Sequence, residues 1–185
     1  MHPSFLLIVT ALEERLLIND GTLYSEIQEI QANIVELKNK VASLESKSSS
    51  TSIVFMSQLS TNLDNPADGR IVVFDDVITN VGGAYSNTTG VFRAPVHGNF
   101  MFSVVGSAAP KSGDHQLHLL LKKNGITVGY LFFDQNHDYY LKRTEVVVIT
   151  LKPGDEIFVQ TDAGSGLHSL RGCCFHSHFS GFLIH

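Results

Sequence analysis

Apolar side chains in the first third of the chain fall on a narrow seam. Leu23, Ile27, Ile30, Ile34, Leu37, Val41 and Leu44 follow one another at alternating spacings of four and three. That is the heptad pattern of a coiled coil, narrower than the stripe of a helix lying on a core. It makes Ile27, Ile34 and Val41 the a positions and Leu23, Ile30, Leu37 and Leu44 the d positions. Lys40 at g and Glu45 at the following e have opposite charge, which suits a parallel partner in register. The seam alone does not choose between two and three strands. Ile at a with mostly Leu at d leans toward two, whereas Ile30 at d leans toward three.

Helical periodicity stops after Ser48, Ser49, Ser50, Thr51 and Ser52, five small hydroxyl residues that read as a linker. Beyond them, short apolar or alternating runs are separated by turn chemistry, the pattern of an all-β sandwich. Strands are predicted over 53–59, 70–74, 90–94, 98–107, 116–123, 126–133, 144–151, 156–161 and 176–184. Asn124-Gly125 is a strong hairpin signal, since both residues tolerate positive φ. Lys152-Pro153-Gly154-Asp155 is a second turn. The pattern therefore divides the chain into residues 1–19, a coiled-coil stem over 20–47, a linker over 48–52 and a globular head over 53–185.

Residues 1–19 admit two readings. The apolar run from Phe5 to Leu12 and the small-residue site around Ala11 suit a truncated or atypical signal segment of a secreted, extracellular protein. No lysine or arginine precedes the run, so the first turns of the stem helix fit equally well. The run is too short to span a bilayer, and nothing else in the chain reads as a membrane span.

The head resembles the globular domain of complement C1q, from about Ile53 to Ile184. Phe74, Asn80, Tyr85, Phe92, Gly98, Phe100 and Phe102 stand at the spacings of that family's long aromatic signature. The segment from Ser177 through Phe179, Gly181 and Phe182 to Ile184 is similar to its last strand. Phe100 replaces the usual tyrosine and Val104 a usual aromatic, and both remain apolar. The resemblance implies a ten-stranded jelly-roll β-sandwich of the C1q and tumour necrosis factor type that trimerises. This would settle the stem as three-stranded and assigns Phe74, Tyr85, Phe92, Gly98, Phe100, Phe102, Phe179, Gly181 and Phe182 to core and trimer packing. Many relatives carry a collagen-like Gly-X-Y stalk. This chain has none, and the coiled coil stands in its place.

Charge and chemistry narrow the function. A net charge of -5 with no basic stripe excludes a duplex-binding surface. The nucleophile elbow, the zinc-protease motif, the phosphate loop and Cys-x-x-Cys are all missing, so no enzyme is expected. Cys173 and Cys174 are adjacent, which rules out an ordinary intrachain disulfide and leaves free thiols or pairing with another chain. His176 and His178, two apart on a predicted strand, are metal candidates that share a face, with His115 and His118 as further donors. No cofactor is required by any motif. Calcium enters because some relatives bind it at the trimer apex, and Asp114, Asp134, Asp138 and Asp162 lie in or beside predicted loops. Asn87-Thr88-Thr89 is a glycosylation sequon.

The resemblance implies a homotrimer that recognises carbohydrate or microbial surfaces by avidity, as innate-immune relatives do. The loops 134–140 and 163–171 would form the contact surface. Its alternatives are an endogenous signalling ligand for a cell-surface receptor, as in cerebellin-like and hormone-like relatives, and a matrix assembly module.

Overall fold

The computed structural model describes residues 3–50, 52–110, 112–113, 116–133, 138–163 and 169–184. The chain forms two compact units, residues 1–51 and 52–185.

The first unit is one helix, α1 (Pro3–Ser50). It takes in three of the five residues read as a linker. Serine is only a moderate helix breaker, and no Gly or Pro stands there to stop the propagating turns. The helix also runs without a break through residues 3–19, which is compatible with both readings of that segment.

The second unit is a sandwich of two antiparallel sheets. Its elements are β1 (Val54–Gln58), β2 (Leu63–Asp64), β3 (Asp76–Val81), β4 (Tyr85–Ser86), β5 (Val91–Arg93), β6 (Gly98–Ala108), β7 (Leu117–Lys123), β8 (Ile126–Phe132), β9 (Leu141–Leu151), β10 (Glu156–Ala163), β11 (Ser169–Leu170) and β12 (His178–Ile184). One sheet has the order β2-β11-β6-β12-β1-β3, with β9 also paired to β6. The other runs β4-β5-β10-β7-β8. Twelve strands stand among the described residues against the expected ten, and three of them, β2, β4 and β11, are ladders of only two residues.

The segment predicted as a strand over 70–74 touches the ladder at a single bridge, Ile71 to Gln160. The Val72 N–H nevertheless donates to Val159 O at 2.8 Å, and Val72 and Phe74 are fully buried. β3 was not expected from the sequence. It is an edge strand with no fully buried residue, so it lacks the alternation that marks a half-buried strand.

Period-two alternation builds the core. Phe100, Phe102 and Val104 of β6 point inward and are fully buried, as are Phe179 on β12 and Phe55 on β1. Phe92, Leu119, Leu121, Ile157 and Val159 face them from the other sheet. Aromatic rings interlock across the gap: Phe92 meets Phe102 edge-on at 5.1 Å, and Phe55 stacks on Tyr85 at 4.8 Å.

Gly181 has a specific place here. It pairs with Phe55 on one side and Phe102 on the other, so both rings lie on its inward face. A Cβ at Gly181 would fall 2.5 Å from Phe102 Cδ1 and 2.9 Å from Phe55 Cε1. The close approach that this glycine permits is therefore made by two side chains. Gly98 is analogous, since its missing Cβ leaves room for Leu183 Cδ1 at 2.6 Å.

Candidate functional site

The signature residues form a structural clasp. The Tyr85 hydroxyl donates to Phe74 O at 2.9 Å and accepts from the Phe74 N–H at 3.2 Å. Asn80 completes it by donating from Nδ2 to Tyr85 O at 2.8 Å. Burial pushes the Tyr85 phenol well above its ordinary pKa. These groups are spent on the fold and offer nothing to a ligand.

The first outward surface lies on the back of the larger sheet. Directly paired residues in an antiparallel ladder share a face, and Val148–Met101–Phe182–Val54–Val81 form one continuous row across five strands. Ile184 lies beside Phe182 on the same face, and the next row runs Val146–Ser103–Ser180–Met56–Thr79. Phe182 is 43% exposed and Val148 65% exposed. Phe182 is thus the one aromatic assigned to core or trimer packing that lies outside the core. Gly98 is partly buried, and the other seven assigned residues are buried. Sequence reasoning missed the rest of this row. The run Val146-Val147-Val148-Ile149 carried the signal, because a strand that is apolar in both phases is one to be covered on both faces.

The stem offers a second uncovered surface. All seven seam residues are exposed, from 43% at Ile27 to 61% at Leu37. Ile34, Leu37, Lys38, Val41 and Ala42 line an apolar groove of about 330 Å³ along the helix. A single copy of α1 leaves this seam in water, an arrangement that a coiled-coil partner relieves.

The metal candidates are not brought together. β12 begins at His178, so His176 lies in the preceding turn and its N–H donates to Cys173 O at 3.0 Å. The two histidines therefore do not share a strand face. Burial holds the His178 imidazole below its usual pKa, and the nearby Lys142 adds to the effect. Asp138 is exposed. Asp114, His115 and Asp134 lie outside the described residues. Among the described residues, no three His, Cys, Asp or Glu side chains are grouped to hold a metal ion.

The described ends of the two expected contact loops do meet: the Arg171 guanidinium sits 5.4 Å from the Tyr140 ring centroid. Residues 134–137 and 164–168 of those loops lie outside the description. Asn87 is exposed in the turn before β5, and its Nδ2 donates to Asp75 O at 3.3 Å. Cys173 and Cys174 are free and exposed. With Phe175 they form three consecutive non-glycine residues of positive φ (53°, 52° and 60°), a conformation L-residues adopt rarely.

The second unit is thus a two-sheet jelly roll with an open apolar row on its larger sheet, and the first is a helix with an exposed heptad seam. Residues 54–184 match the C1q domain, and the chain belongs to the C1q domain family. It is 30% identical over 132 residues to complement C1q tumor necrosis factor-related protein 3 of mouse, and equally so to the human protein. The match covers 71% of this chain and 51% of each relative, so the chain spans about half the length of these relatives. The globular domain of zebrafish complement 1qA superposes with a TM-score of 0.52 at 22% identity, covering 72% of this chain and 98% of that one. Eiger TNF from S. frugiperda superposes with a TM-score of 0.55 at 14% identity, covering 73% and 94%. Both share the jelly-roll fold. Among the described residues no helix is long and apolar enough to cross a membrane.

Proposed function

We propose that this chain is a secreted homotrimer that recognises its ligand by avidity rather than by catalysis. One observation carries the reading: a single copy exposes two separate apolar surfaces, the five-strand row of the head and the heptad seam of the stem. Exposed apolar surface of that extent is what association covers. Three heads on one stem turn weak single contacts into a tight combined one. The ligand we favour is carbohydrate on a microbial or cellular surface, with the Asn87 sequon fitting an exported protein.

A second reading, an endogenous signalling ligand that clusters a receptor, is supported by the tumour necrosis factor-related name of the relatives and by the tumour necrosis factor fold of Eiger. Light-scattering mass of the full chain, with and without reductant and EDTA, tests the common element. A trimer insensitive to both is expected, and a monomer would overturn both readings. A glycan array then separates carbohydrate recognition from receptor signalling.

A further inference from the structure

The outer face of the smaller sheet carries a polar and aromatic cluster that the packing of the head does not require. Asp162 of β10 pairs with His118 of β7, which pairs with Phe132 of β8, so the three form one row. Tyr130 stands on the same face, two residues from Phe132. Its hydroxyl donates to Asp162 Oδ2 at 2.8 Å, and His118 Nδ1 lies 3.0 Å from the same phenol oxygen. With the phenol proton committed to the carboxylate, the consistent imidazole tautomer donates from Nδ1 to Tyr130. His118 is almost fully buried, whereas the Asp162 side chain is 38% exposed. The Tyr130 hydrogen bond keeps the Asp162 carboxyl below its usual pKa and therefore ionised at neutral pH. Among the described residues, Asp162 Oδ1 accepts no hydrogen bond.

The aromatic side is equally ordered. Phe132 stacks on Tyr130 with centroids 4.4 Å apart and planes 25° apart, and His118 meets it edge-on at 4.8 Å. The ring nevertheless remains 55% exposed. A phenylalanine fixed on two sides and open on a third is a flat apolar shelf. Two strands away on the same face, and linked to the shelf through Tyr130, stands the Asp162 carboxylate, whose Oδ1 accepts no hydrogen bond among the described residues.

We infer that Phe132 and Asp162 form a subsite for a neutral pyranose, the ring taking its C–H face and Oδ1 accepting its hydroxyls. The charge balance selects this class over a cationic group. Lys122, anchored to Thr127 Oγ1 at 2.8 Å, adds the smallest of the favourable electrostatic contributions at Asp162, in the direction that offsets its negative charge. Pyranose C–H groups carry slight positive charge and suit the negative face of an aromatic ring. Tyr130 and His118 are positioning residues that hold the carboxylate and the shelf. The inference rests on the carbohydrate reading above and names its subsite, one copy per head.

Saturation-transfer NMR on the full chain, with millimolar methyl β-galactoside, methyl α-mannoside and methyl β-N-acetylglucosaminide, tests the subsite without relying on avidity. At least one pyranoside is expected to receive saturation. F132A and D162N should each weaken this by about tenfold, F132Y should retain it, and circular dichroism should stay unchanged. Absence of transfer to all three sugars would overturn the subsite, as would transfer indifferent to both variants. Preferential binding of a phosphocholine conjugate would mark the shelf as a cation site and refute the sugar assignment. Light-scattering mass on the same samples separates failure of the subsite from failure of the trimer.

Discussion

Gly181→Ala is the sharpest test of how the head is packed. The substitution adds one methyl group to the inner face of β12, where the new carbon would sit 2.5 and 2.8 Å from Phe102 ring carbons and 2.9 Å from Phe55 Cε1. Carbon atoms rest at about 3.5–4.0 Å, so each ring must retreat by roughly 1 Å. Neither has room. Phe102 is packed against Phe92 at 5.1 Å and Phe179 at 6.1 Å, and Phe55 against Tyr85 at 4.8 Å. Gly181 is not among the glycines of positive φ, so the destabilising part of the change is steric crowding alone. Overpacking of this kind costs about 1–3 kcal/mol, and two trapped rings place Gly181→Ala near the upper limit. For a head of about 130 residues this lowers the melting temperature by roughly 5–15 °C. Near-ultraviolet circular dichroism of the full chain follows it, because the packed aromatic residues of the head dominate that signal. Phe102→Leu removes the ring edge that the methyl group meets. The double variant should therefore be less destabilised than the sum of the singles by at least about 0.5 kcal/mol. A Gly181→Ala protein as stable as wild type, or strict additivity in the double variant, would refute the argument.

Three further outcomes are expected. Phe182→Ser and Val148→Asp alter the exposed row without touching the core, so light scattering should show loss of the trimer while the head keeps its sheet spectrum; each should cost about 2 kcal/mol of association. Because His178 has its pKa lowered by burial and by Lys142, the folded state binds fewer protons than the unfolded chain. Stability should then be complete above about pH 6.5 and fall as the pH drops below it, a trend that His178→Gln should flatten in thermal melts. The Asp155 carboxyl is held to about 2 by the Lys152 N–H, Asn124 and Lys123. Its contribution to the turn should be intact above about pH 4 and vanish toward pH 2, and Asp155→Asn should remove that acid dependence in urea titrations.

Local chemistry made much of this fold legible in the sequence. Asn124 and Gly125 do take φ of 50° and 85° between β7 and β8, and Gly154 takes 89° in the turn closed by the Asp155 N–H on Lys152 O. Phe100, Phe102 and Val104 announced one inward face because period two is a property of a single strand. What stayed hidden depends on pairing between distant strands. The row from Val148 to Val81 needs four registers at once, and no local pattern supplies them. The same holds for His118, Tyr130 and Asp162, which come from three strands. Asp162 was visible only as a loop carboxylate and His118 only as a spare metal donor. The serine run from 48 to 50 ends α1, since the backbone there has no steric cause to stop earlier, and the boundary between the two units falls inside the stretch read as a linker.

The placement of β12 has a consequence for the order in which the head can form. This strand, the last of the head, lies between β1 and β6 and pairs with both. Until it arrives, β3-β1 and β6-β9 are two unconnected ribbons, and Phe55 and Phe102 lack the glycine that seats them. Nearly the whole domain must therefore leave the ribosome before its larger sheet can join, so closure is a late step in folding. The strand is also keyed. A slip of one residue turns Phe182 into the space that Gly181 leaves for two rings, and the mispaired sheet cannot close. The final insertion proofreads its own register.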